Sequence, residues 1–266
     1  MLRRRLLFTL ATSEAFERVA PKRRAWRSAR RYVAGETVED ALAAVERLKA
    51  AGLSASVDLF GERTGAAEAP DVAAAYERLC ARLPAGAWVS LDLSHIAFDG
   101  GLLDRIVAAL PPHARLQVGG EEAAQTDRVL DLVTARGAPL EATLQANLLR
   151  SPRDAERLAA AGVSVRLVKG AYVEREAHPW GEATDRAYVA LARRLHERGV
   201  DIALATHDER LHDVLPQARV ELLLGVRPRL ATRLAAQGRD VRIYVPYGGG
   251  WFRYFMRRRA EAQGAA

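Results

Sequence analysis

Cysteine is almost missing from this chain: Cys80 is the single one. One thiol excludes an internal disulfide framework and any cysteine-rich metal site, which suits a reducing cytoplasm. Lysine is nearly as scarce, present only as Lys22, Lys49 and Lys169, so arginine carries almost all of the basic charge. Aromatic residues make up 6% of the chain, and no aromatic-interleaved RNA motif or zinc-finger spacing occurs. The net charge of +7 therefore reads as a composition bias and not as a nucleic-acid code. No apolar run reaches the roughly 18 to 20 residues that a bilayer span requires. The basic N-terminus superficially resembles a signal peptide, but its apolar run, 6–11, is short and has no cleavage pattern. A cytoplasmic protein is expected, with a peripheral membrane contact through that segment left open.

What is present is a core. With 266 residues, 49% of them hydrophobic, the chain can fold as one large domain. Short β-rich runs recur at 55–60, 88–93, 115–118, 142–145, 165–168, 202–206, 220–224 and 242–245. Amphipathic stretches separate them, at 71–83, 102–110, 123–135, 153–161, 184–198, 209–215 and 229–237, and an eighth follows the last run. Brief apolar strands alternating with helices indicate parallel pairing. The predicted fold class is α/β, a (β/α)8 TIM-type barrel over 53–266 behind an N-terminal helical segment, 1–52. That segment carries a capping-box-like start at Thr37-Val-Glu-Asp40 and ends near Gly52. The alternative is an open doubly wound sheet, but no strand is followed by a G-x-G-x-x-G fingerprint.

The stretch from Tyr244 to Glu261 is the best candidate for an anion site. After the last strand and the break at Gly248–Gly250, Tyr254, Arg257, Arg258 and Glu261 share one helical face. Paired guanidiniums suit a carboxylate or phosphate, since each planar fork donates two parallel hydrogen bonds. A solvated basic helix is the alternative reading of the same spacing. Polar residues also gather at strand ends: Asp58, Glu62, Asp92, Gln117, Gln145, Lys169 and Thr206-His-Asp208. In a barrel these mark one catalytic face.

In this order, the segments Arg31–Thr37, Val57–Glu62, Leu144–Ala146, Arg166–Tyr172, Ala205–Asp208, Gly225–Pro228 and Tyr244–Glu261 resemble the FAD-dependent proline dehydrogenases. The resemblance spans most of the chain. It implies a distorted (β/α)8 barrel with FAD at the strand C-termini, a small cyclic amino acid as substrate, and a quinone or other electron acceptor. It further implies that Arg257 and Arg258 bind the substrate carboxylate, that Tyr244 and Tyr254 pack on its ring, and that Glu62 pairs with Arg257. Gln145 and Arg166 would bond around the flavin ring. Val168, Lys169, Gly170, Ala171, Tyr172, Thr206, His207 and Glu261 would line the rest of the cofactor, His207 being open to a simple strand-end capping role instead.

Three segments depart from the family pattern. Val89-Ser-Leu-Asp-Leu-Ser94 has Asp92 where the family has a substrate-binding lysine in a pattern like Ile-Ser-Ile-Lys-Leu-Ser. Arg115-Leu-Gln-Val-Gly119 has Gln117 where Arg-Leu-Asp-Met-Glu has aspartate, and both changes are expected on the substrate side. Arg219-Val-Glu-Leu-Leu-Leu-Gly225 stands where the family has a pattern like Glu-Phe-Gln-Phe-Leu-Tyr-Gly. Either these exchanges compensate one another within a proline site, or the pocket takes a different amine or imino acid. A barrel that binds without catalysing is the remaining alternative.

Overall fold

Alternation of apolar and polar residues along most of the short strands builds the molecule. In the computed structural model, which describes residues 22–61, 65–170 and 172–260, the strands are β1 (Ser54–Leu59), β2 (Trp88–Leu91), β3 (Leu116–Val118), β4 (Leu140–Gln145), β5 (Ser164–Val168), β6 (Ile202–Ala205), β7 (Arg219–Leu223) and β8 (Val241–Tyr247). All pair in parallel and in chain order, and β8 closes on β1, with Ser54 opposite Arg242 and Leu59 opposite Tyr247. The closed barrel is the predicted architecture, and the open sheet is excluded. Every second strand residue, among them Val57, Leu91, Val118, Leu144, Leu167, Leu222 and Ile243, is buried in the main apolar core. Burying each such side chain contributes about 1.5–3 kcal/mol.

Start signals are visible in several of the helices. They are α1 (Lys22–Ala29), α2 (Val38–Ala50), α3 (Ala69–Cys80), α4 (Gly100–Ala108), α5 (Thr126–Thr134), α6 (Ser151–Ala160), α7 (Glu182–Glu197), α8 (Glu209–His212), α9 (Pro228–Ala236) and α10 (Trp251–Ala260). Pro70, Pro152 and Pro228 sit in the first turns of α3, α6 and α9, where a missing N–H costs nothing. α8 is one turn, shorter than the expected 209–215. Pro216 disfavours helical geometry at Leu215 before it.

α2 has the predicted capping box: Thr37 Oγ1 accepts from the Asp40 N–H at 3.2 Å, and Asp40 Oδ2 accepts from the Thr37 N–H at 3.1 Å. This helix packs on both β1 and β8 and so covers the seam of the barrel. α1 packs instead on α10. Ala29, Val33, Trp251, Phe252, Tyr254 and Phe255 form a second apolar cluster there, with Trp26 and Trp251 ring centroids 4.8 Å apart. The connecting strand is tied down by Arg31 Nε donating to the Gly225 carbonyl at 3.0 Å. Gly225 has φ +71°, and a Cβ there would lie 1.9 Å from the Arg31 carbonyl oxygen, so only glycine fits. Among the described residues, no helix is long and apolar enough to cross a membrane.

Candidate active site

The other half of the strand alternation points into the barrel, and on most strands it is polar, with alanines on β6. Barrel interiors are ordinarily layers of branched apolar side chains. Here the N-terminal end is closed by Trp88, whose ring is met by the guanidiniums of Arg242 at 3.6 Å, Arg219 at 4.5 Å and Arg115 at 5.0 Å. Above it lies a buried ionic network. Glu141 accepts from Arg219 Nη2 and Gln117 Nε2. Glu221 accepts from Gln117 Nε2 at 2.7 Å, Arg219 Nε at 3.2 Å and Arg166 Nε at 2.7 Å. Burial, then the like charge of Glu221, pushes the Glu141 carboxyl up to about 7, with Arg219 opposing. Burial works against the Arg166 charge, but Glu221, Tyr244 and Glu141 together raise the guanidinium above its ordinary range.

At the C-terminal mouth these charges meet an aromatic wall. Arg166 stands 5.8 Å from the Tyr244 ring, Tyr244 lies 6.2 Å from Tyr254, and Arg258 stands over Tyr254 at 5.1 Å. Phe60 packs edge-on against Tyr254 at 5.2 Å. Such contacts orient rings and guanidiniums more firmly than apolar burial alone. The Tyr244 and Tyr76 hydroxyls both donate to the carboxylate of Asp58 at the end of β1, Tyr76 at 3.2 Å. Burial pushes the Asp58 carboxyl up; the charge of buried His95 and the two hydroxyls pull it back.

The expected residues separate into those brought together and those engaged elsewhere. Tyr244, Tyr254, Arg258 and Arg166 converge. Glu62, Ala171 and Glu261 lie outside the described residues, as does the side chain of Arg257, whose backbone is in α10. Gln145 Nε2 donates to the Glu121 carbonyl at 2.8 Å. Gln117, expected on the substrate side, has its amide bridging Glu141 and Glu221 inside the barrel, one side chain away from Arg166. Asp92 follows β2 with its carboxylate beside Gly119, which follows β3, and a Cβ on Gly119 would lie 1.7 Å from Asp92 Oδ1. A side chain at position 119 would therefore have to displace the Asp92 carboxylate.

Of the residues expected to line the cofactor, Val168 ends β5, and Lys169 Nζ pairs with Asp185 at 2.6 Å and Asp208 at 3.0 Å. Gly170 takes φ +136°, and a Cβ there would lie 2.1 Å from Asn147 Oδ1. Tyr172 Oη donates to the Gly120 carbonyl at 3.3 Å. Thr206 Oγ1 accepts from the Asp208 N–H at 3.2 Å, and His207 Nε2 accepts from the Leu223 N–H at 3.1 Å. That last bond is a capping contact across the β6–β7 corner. Burial, then Arg258 and Arg227, lowers the His207 pKa to about 4. Glu141, Arg219 and Glu221 are not legible as site residues from spacing. The available signal was a charged residue at alternate positions of otherwise apolar strands.

Comparison with known proteins agrees with this geometry. The family model described as proline dehydrogenase matches residues 41–266. The chain is 32% identical to a proline dehydrogenase of Deinococcus radiodurans, over 98% of this chain and 94% of that one. It is also 32% identical to proline dehydrogenase 1 of Bacillus subtilis, over 88% of this chain and 86% of that one. Among solved structures, proline utilization A (PutA) from Bdellovibrio bacteriovorus, inactivated by N-propargylglycine, superposes with a TM-score of 0.79 at 20% identity. That match covers 86% of this chain but 32% of the larger protein, and it carries the fold alone.

Proposed function

The chain belongs to the proline dehydrogenase family, and from that premise we propose that it oxidises L-proline or a related cyclic amino acid to the Δ1-pyrroline-5-carboxylate-type imine with FAD as hydride acceptor. The observation that carries this reading is the unbroken path from Arg258 through Tyr254 and Tyr244 to Arg166. It joins an anion-binding helix to a buried cation at the barrel mouth. Arg258, with Arg257, would bind the substrate carboxylate. Tyr254 and Tyr244 would pack on the ring, and Glu62 would pair with Arg257 to close the site.

The donor set fits a flavin. Arg166 is held through Nε alone, and its two terminal nitrogens bond to no other described residue. Asn147 Oδ1 is a buried acceptor with no donor among the described residues, beside the side-chain-free backbone of Gly170. Lys169 fits the phosphates less well, because two carboxylates already share its charge. A bound FAD would supply a hydride acceptor at N5. The substrate must present its amine as the free base: hydride leaves the ring carbon next to nitrogen, the lone pair forms the C=N bond, and the N–H proton passes to water. Arg166 would stabilise the negative charge delivered with the hydride, while Gln145 hydrogen-bonds nearby. The electrons would then leave to a quinone or other acceptor.

A second reading, oxidation of a different amine or imino acid, is favoured by Asp92, an anion where the family pattern has a lysine for the carboxylate. One experiment decides both: record the visible spectrum of the purified protein, then follow anaerobic flavin bleaching with L-proline and a panel of cyclic amines. A flavin spectrum bleached by L-proline is expected. Bleaching by another amine alone selects the second reading, and a colourless protein that takes up no added FAD overturns the flavoenzyme altogether.

A further inference from the structure

We propose that Glu221 is the positioning residue for Arg166, clamped in turn by Gln117 and Arg219. Three positions at which this chain departs from the family pattern would then form one buried support beneath the cofactor-side guanidinium. The inference rests on the proposed flavin reading and adds to it a residue that acts only through another. Glu221 Oε2 takes the Arg166 Nε hydrogen at 2.7 Å, while Glu221 Oε1 takes those of Gln117 at 2.7 Å and Arg219 at 3.2 Å. Arg219 and Gln117 also both reach Glu141, which closes the network into a ring. Gln117, Glu141, Arg219 and Glu221 are all 8% exposed or less.

The chemistry of this ring makes the departures interdependent. Two guanidiniums, two carboxyl groups and one amide fill it, and every hydrogen bond runs from a donor to an acceptor. An aspartate at 117, as in the family pattern, would set a third carboxyl group between Glu141 and Glu221 and remove the amide donor that joins them. A glutamate at 219 would remove the cation both carboxyl groups share. A glutamine at 221 would leave Arg166 Nε without an anion. Each exchange alone strands a buried charge, whereas the set present here balances two guanidiniums against two carboxyl groups. Fixing Arg166 through Nε leaves its terminal nitrogens in a set orientation at the mouth.

The test compares the FAD-loaded parent protein with Glu221→Gln and Glu221→Asp, measuring thermal midpoint, FAD dissociation constant and flavin midpoint potential. Glu221→Gln removes an anion beside Arg166 and leaves more uncompensated positive charge near the flavin. The expected result is a midpoint potential more positive than the parent's and FAD binding weaker by about tenfold, the typical worth of a charge-assisted hydrogen bond. Glu221→Asp, which keeps the charge but withdraws it by one methylene, should fall between. A folded Glu221→Gln with the parent's potential and affinity overturns the proposal, since a purely structural residue would move stability alone. Should Glu221→Gln fail to fold, Glu221→Asp decides: a shifted potential supports the role, and a parent-like potential and affinity overturns it. A parent that binds no FAD fails the function itself, an outcome read before any variant is made.

Discussion

His207 and Glu141 are pushed in opposite directions by burial, because one is cationic when protonated and the other anionic when not. The His207 pKa falls from 6.5 to about 4 in the fold, so the unfolded chain binds more protons across that window and stability falls as pH drops through it. The Glu141 pKa rises from 4.5 to about 7, so the folded chain binds more protons there and stability falls as pH rises. Each effect is worth on the order of 2–3 kcal/mol, and they offset each other over nearly the same range. The prediction is that His207→Asn leaves a protein whose urea midpoint declines from pH 4.5 to 7, whereas Glu141→Gln gives one whose midpoint climbs over that span. Parallel slopes in the two variants would show that neither group titrates as described.

At the scale of elements, Asp92 after β2 and Gly119 after β3 lie side by side. The Asp92 carboxylate fills the volume a side chain at 119 would need. Asp92→Lys alone would put a longer, cationic side chain beside the buried Glu121, and Gly119→Glu alone would have to displace the Asp92 carboxylate. Each single variant should lose about 1–3 kcal/mol. The double variant, which restores the family pattern at both positions, should lose less than the sum, with a coupling of at least about 1 kcal/mol in a double-mutant cycle. Additive losses would mean that the two strand ends are independent. If the double variant also oxidises L-proline faster than the parent, the second substrate reading gains weight.

For the molecule as a whole, α10 gains its rigidity from the N-terminal segment. Trp251 is 5% exposed between Trp26 and Phe252, and its Nε1 donates to Glu36 at 3.0 Å. Trp251→Ala should cost about 3–5 kcal/mol of local stability. Because α1 and α10 form a cluster apart from the main core, the loss should show first as faster amide exchange in α1 and α10, with β1 to β8 still protected. Tyr254 and Arg258 ride on that helix, so a raised KM at smaller change in kcat should accompany it. Uniform loss of protection through the barrel would show that the two cores open as one.

The amino-acid sequence by itself determined the eight βα units, the capping box at Thr37 and the arginine-bearing C-terminal helix. Each of these is encoded in local period, propensity and turn chemistry over a few neighbouring residues. It also exposed Asp92, Gln117 and Arg219 as departures from a family pattern. What those departures do was decided only by tertiary structure, because strand closure brings Gln117, Glu141, Arg166, Arg219 and Glu221 from four strands into one ring. No sequence spacing encodes which residues on β3, β4, β5 and β7 share a layer of the barrel. The same closure set Gln117 between Glu141 and Glu221, since a side chain's surroundings in a barrel are fixed by its depth along the axis, which only the register of the closed sheet sets.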